Sequence, residues 1–121
     1  MLRIFAVLFG IAFIFAGIAG MLPSFTPDGL LFGWFQVDST HNVFHIVSGV
    51  FAIMAATSYR LTKFYFLAIG LIYAVLAVGG FLQGGDLGFI HMQVNMADNV
   101  LHACIALVAL YACFGTHREA P

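Results

Sequence analysis

Asn42 with His45, and again Asn99 with His102, are amide and imidazole pairs spaced three residues apart inside otherwise apolar stretches. On a helix that spacing puts each pair on one face, where an amide can hydrogen-bond an imidazole along or across helices. Two more ionisable groups stand beside them: His41 lies four residues before His45, and Asp98 four before His102, again about one turn apart on one face. If the two segments face each other, His41, His45, Asp98 and His102 converge, and three imidazoles with a carboxylate suit zinc, iron or copper(II). The same groups can relay protons or serve quinol chemistry. His45 and His102 can also ligate a haem or a chlorophyll-type pigment. Gly49 and Ala106 follow them by one turn and leave a shallow surface for a flat macrocycle. His91, Met92 and Met96 together would offer imidazole and thioether, a set that suits copper(I).

A plainer use competes with all of these. Only Asn-x-x-His is repeated, position 41 against position 98 being His against Asp. A polar network of Asn42, His45, Asn99 and His102 that locks helices together accounts for the repeated part with no cofactor, because buried polar groups are normally paired with one another. Ser39 or Thr40 is then the expected cap of the first motif's helix, and Asp98 a favourable charge in the first turn of the second. Cys104 and Cys113 are too far apart along one helix to bridge, and imply neither a disulfide within the chain nor a thiolate site.

The elements that must position these groups are membrane helices. With 63% hydrophobic and 7% charged residues in 121, there is too little polar surface to cover a water-soluble domain. Four apolar runs, roughly 4–22, 41–59, 64–82 and 97–115, are long enough to cross about 30 Å of hydrocarbon at about 1.5 Å per residue. In lipid the backbone must satisfy itself, and these runs do not alternate as barrel strands do, so helices are expected.

The chain is an internal duplication. Gln36 to His45 matches Gln93 to His102, and Arg3 to Leu22 aligns without gaps on Lys63 to Leu82, pairing Gly10 with Gly70 and Gly20 with Gly80. The expected architecture is an all-α bundle of four transmembrane helices. It would be one domain, residues 1–121, built from two tandem two-helix repeats (about 3–59 and 63–115) related by a pseudo-twofold axis along the membrane normal. Because the first helix has a partner in the second repeat, it is read as retained rather than as a cleaved signal. Gly10, Gly20, Gly70 and Gly80 recur at equivalent places and are the expected helix-packing positions, since small residues let backbones approach in lipid.

Arg3, Arg60, Lys63 and Arg118 fall on one side of a four-crossing chain, at the termini and in the turn between the second and third runs. By the positive-inside rule that side is cytoplasmic, so both termini face in and both His motifs face out. The two outer connections are rich in turn residues and aromatics, which suits an interfacial belt or a lid over the histidines.

Met96 to His102, with His41 to His45 and the Gly-rich first and third helices, resembles the bacterial four-helix membrane proteins grouped as the DUF4383 family. The resemblance spans nearly the whole chain, and the family's repeated Asn-x-x-His falls on Asn42 with His45 and on Asn99 with His102. It implies a multi-pass protein of the bacterial cytoplasmic membrane and supplies no activity.

Phosphate-binding glycine loops, nucleophile elbows and the His-Glu-x-x-His signature are missing from the sequence, and basic residues are too few for nucleic acid. Prolines at 23, 27 and 121 leave the runs unbroken, against a translocation path. The favoured role is a non-catalytic accessory or scaffold subunit, meeting lipid and either other membrane subunits or copies of itself, with no cofactor. The rival is a membrane redox protein binding metal, haem or pigment through His45 and His102.

Overall fold

The computed structural model describes residues 1–84, 86–88 and 92–115. Four helices carry the chain: α1 (Leu2–Ala19), α2 (Ser39–Ala55), α3 (Tyr59–Gln83) and α4 (Met96–Phe114). α1, α3 and α4 are long and apolar enough to cross a membrane. α2 has 17 residues, about 26 Å, and its first two turns hold Ser39, Thr40, His41, Asn42 and His45.

The helices start where side chains can take up free backbone N–H groups. Asp38 caps α2 by accepting from the His41 N–H at 2.7 Å, and Ser58 caps α3 by accepting from Leu61 at 3.0 Å. At α4 the caps are reciprocal: Asn95 Oδ1 accepts from the Asp98 N–H at 2.9 Å, while Asp98 Oδ2 accepts from the Asn95 N–H at 3.0 Å. The expected cap at Ser39 or Thr40 is corrected, since Asp38 holds the N-cap position while Ser39 and Thr40 are already helical with exposed side chains.

α2 and α3 are joined by only residues 56–58, so Arg60 and Lys63 lie in the first turns of α3 and not in a connection. Thr62 Oγ1 donates to the carbonyls of Ala55 and Ser58, and Arg3 Nε donates to the Ala56 carbonyl at 2.6 Å. The start of α1, the end of α2 and the start of α3 therefore share one end of the molecule. Arg118, part of the charge argument, lies outside the described residues.

At the opposite end the two connections, whose composition suits an interfacial belt or a lid, form short antiparallel hairpins. β1 (Leu30–Leu31) pairs with β2 (Phe35–Gln36), and β3 (Asp86–Leu87) with β4 (Met92–Gln93). They are crossed over the bundle: β2 touches α4 and β4 touches α2. Leu31, Leu87, Met92 and Val94 are buried beneath them.

α1 packs mainly on α2, and α3 on α4. A Cβ at Gly10 would lie 2.7 Å from the Gly49 carbonyl oxygen, and one at Gly49 would lie 2.5 Å from that of Gly10, so the two backbones touch. Phe9 and Phe66 meet edge to face, as do Tyr65 and Phe66, filling the core between α1 and α3. Outward the helices present large apolar side chains such as Leu8, Phe51, Val75 and Leu107, while His41, Asn42, His45, Thr62, Asp98, Asn99 and His102 are buried. Apolar outside with polar inside is the distribution that a hydrocarbon solvent imposes.

The Gly10 contact is with backbone, which cannot swing aside. Gly10→Leu is expected to destabilise the detergent-solubilised protein by at least ~1–3 kcal/mol, seen as a lowered Tm, whereas Leu8→Phe, on the exposed face of α1, leaves it nearly unchanged.

Candidate functional site

The buried polar side chains gather where α2 and α4 begin. His41 and His45, one turn apart on α2, have ring centroids 4.6 Å apart, and His102 of α4 stands 5.3 Å from His41 and 6.0 Å from His45. One nitrogen from each of the three lies within 4.8 Å of the others. None of the three rings exceeds 4% exposure. Phe13 and Tyr73 wall the cluster, with Phe13 5.7 Å from His45 and Tyr73 5.4 Å from His102.

Hydrogen bonding around the cluster is one-sided. His41 Nδ1 approaches the Gln93 carbonyl at 3.3 Å, and the Gln93 N–H donates to Asp38 Oδ2 at 2.7 Å, so Asp38 joins the start of α2 to the second hairpin. The complementary brace runs from Asn95 Nδ2 to the Trp34 carbonyl at 2.9 Å, joining the start of α4 to the first hairpin. Inside the cluster, His41 Nε2 and both nitrogens of His45 and of His102 have no hydrogen-bond partner among the described residues.

The asparagines do not supply those partners. Asn42 lies over Gly20 and Asn99 over Gly80, each amide so close that a Cβ on the glycine would overlap it. Their Oδ1 atoms are themselves unpartnered. The amides thus mark close helix contacts, α1 with α2 and α3 with α4, with no bond to an imidazole.

Asp98 departs from the four-ligand set of His41, His45, Asp98 and His102. It is buried one turn before His102, but it is not in the imidazole group, because its carboxylate is turned back to the Asn95 N–H in the capping box. The macrocycle surfaces are also corrected. Gly49 is closed against the Gly10 carbonyl and Ile14, and Ala106 is buried in the core, so neither histidine overlooks a slot for a flat ring. Of the thioether set, Met92 is buried under the second hairpin, Met96 is 63% exposed and His91 lies outside the described residues. Both cysteines are free, Cys104 exposed and Cys113 buried.

Tyr73 and Ser48 were not singled out from sequence. The Tyr73 hydroxyl meets Ser48 Oγ at 3.0 Å, Ser48 Oγ donates to the Phe44 carbonyl at 2.8 Å, and the Tyr65 hydroxyl donates to the Ser48 carbonyl at 2.8 Å. When Arg3–Leu22 is aligned on Lys63–Leu82, Tyr73 falls opposite Phe13, and that added hydroxyl was the available signal.

The family model described as "Domain of unknown function (DUF4383)" matches residues 3–115, which span all four helices and the whole imidazole cluster. The chain belongs to the DUF4383 family. No curated protein and no solved structure matches it. Within this DUF4383 protein the site's character therefore rests on its own geometry: three buried, mutually adjacent imidazoles with free nitrogens, of which His41 is held from outside by the Gln93 carbonyl that Asp38 braces.

Asp38 satisfies two backbone N–H groups on two elements. Asp38→Ala is expected to cost about 1–2 kcal/mol for the lost cap, more if the Gln93 N–H stays unpaired, and to speed amide exchange at Gln93. Ser39→Ala leaves both stability and exchange unchanged within error.

Proposed function

We propose that this DUF4383 protein crosses the bacterial cytoplasmic membrane four times, with both termini inside, and acts as a non-catalytic accessory or scaffold subunit of a larger membrane assembly or homo-oligomer. The observation that carries this reading is the apolar outer surface. Large aliphatic and aromatic side chains face outward on every helix, and such a surface calls for lipid or the helices of a partner.

α2 supports a fourth crossing although it is the shortest helix. It lies along α1, and it ends beside Arg3 with only residues 56–58 before α3 begins. The caps of α2 and α4, the hairpins and the polar cluster occupy the other end. Arg3, Arg60 and Lys63 at the first end argue for placing it in the cytoplasm. The matched contacts of Asn42 with Gly20 and Asn99 with Gly80 favour two tandem repeats in one domain about a pseudo-twofold axis. A non-catalytic role agrees with a cluster too buried for a substrate to reach and with a Ser48 hydroxyl already engaged.

The cofactor reading gains from the unpartnered imidazole nitrogens, but haem and pigment do not fit the closed surfaces at Gly49 and Ala106. What remains of it is a single ion.

In a Cys104→Ser, Cys113→Ala background, Trp34→Cys is expected to react with a membrane-impermeant maleimide on intact cells, and Thr57→Cys only after permeabilisation; the reverse pattern would invert the topology. Gentle extraction from the native membrane is expected to yield a stoichiometric partner or a defined homo-oligomer, and a solitary monomer at native expression would contradict the scaffold role.

A further inference from the structure

We propose that His41, His45 and His102 form a site for one divalent first-row transition-metal ion of the zinc class, which ties the α1–α2 half of the molecule to the α3–α4 half. This goes beyond the accessory role and holds whether or not the protein has a partner subunit.

Geometry is the first argument. His41 and His45 are spaced as a chelating pair on one face of α2, and His102 enters from α4, so the ligands span the two halves. A tetrahedral zinc with nitrogens at about 2.0–2.1 Å holds them roughly 3.4 Å apart. Three nitrogens already within 4.8 Å of one another need only side-chain rotations to reach that separation.

The second argument is the cost of the bare cluster. Five imidazole nitrogens are buried without partners among the described residues. Each unsatisfied buried polar atom carries the desolvation penalty of its group, and the surrounding rings of Phe13 and Tyr73 offer no hydrogen-bond partner, since the Tyr73 hydroxyl is engaged with Ser48. The nearby Asn42 and Asn99 amides make no hydrogen bond to the imidazoles either, and their own Oδ1 atoms are unpartnered among the described residues. A metal ion takes one lone pair from each ring at once.

The outer layer is the third. A ligating histidine usually donates its other ring N–H to a carbonyl or carboxylate, which fixes the tautomer and aims the bare nitrogen at the metal. His41 has this arrangement: Nδ1 faces the Gln93 carbonyl and Nε2 is the free atom. Gln93 is in turn held by Asp38.

Charge balance points to a dication. The three imidazoles are neutral ligands, and the positive ends of α2 and α4 would repel a cation. Asp38 and Asp98 stand at those two helix starts, supplying two carboxylates one layer outside the rings. Imidazole-only ligation suits zinc and its neighbours, and neither cysteine thiol belongs to the cluster. The fourth position falls to water or a small donor, because Asp98 is held in its cap.

The test uses the full chain purified in detergent with a streptavidin-type tag and no polyhistidine, stripped with a chelator. Titrated cobalt(II) is expected to saturate at one equivalent with the strong visible absorption of a low-coordinate nitrogen site, and zinc to displace it. Zinc at a hundredfold excess over Kd should raise Tm by about 10 °C. His45→Phe and His102→Phe should abolish both signals. A folded wild-type protein with neither a saturable cobalt spectrum nor a zinc-dependent Tm would overturn the proposal, as would signals that survive in both variants. So would variants more stable than the zinc-loaded parent, the behaviour expected if the imidazoles are merely unpaired polar groups replaced by apolar ones. If the variants fail to fold, the wild-type spectrum and Tm shift decide alone. Neither readout depends on partner subunits, so the scaffold role stands or falls separately.

Discussion

Asn42 lies on Gly20 and Asn99 on Gly80, and the rest of the molecule is arranged around those two contacts. An amide exposed to hydrocarbon is costly, so each must turn inward, and it can do so only where the facing helix has no side chain. That requirement pairs α1 with α2 and α3 with α4 and fixes their rotation. Three residues beyond each asparagine, one histidine is then forced to point the same way. Bringing the two halves together makes His45 and His102 neighbours without any bond between them.

The end of the bundle that carries this polarity is sealed by exchange between the halves. Asp38 at the start of α2 holds the second hairpin, and Asn95 at the start of α4 holds the first. Each hairpin has only two paired positions per strand and would not be stable alone. Its stability is borrowed from buried Leu31, Leu87, Met92 and Val94 and from the caps. The cluster thus sits between closely packed helices whose unpartnered buried polar atoms, among the described residues, are the imidazole nitrogens and the Oδ1 atoms of Asn42 and Asn99. A centre that is rigid, buried and short of hydrogen bonds is a costly thing to keep, and an ion shared among three rings removes much of that cost.

Much of the architecture was legible because membrane helices declare themselves through length and composition. The four apolar runs correspond to the four helices, with the ends displaced where capping decides: α3 begins at Tyr59 because Ser58 caps it, not at Phe64 where hydrophobicity alone rises. The hairpins were not legible, since two-residue strands carry no period to detect and are set by contacts with distant helices. Helical spacing was enough to place His41 and His45 on one face. Asp98 directly precedes Asn99 as His41 directly precedes Asn42, yet its carboxylate is used by Asn95, a local competition that spacing alone does not reveal. Asp38, exposed to the same kind of choice, became the cap and the brace. Tyr73 and Ser48 escaped notice because a lone tyrosine and serine in apolar helices carry no motif.

The central claim is that the three imidazoles share one metal ion in the native protein, and its most direct test is elemental analysis of the chain isolated from its own membrane without a polyhistidine tag or added metal. One zinc-class ion per chain, lost in His102→Ala while the protein still folds, is the predicted result. A correctly folded wild-type protein carrying no stoichiometric transition metal would contradict it.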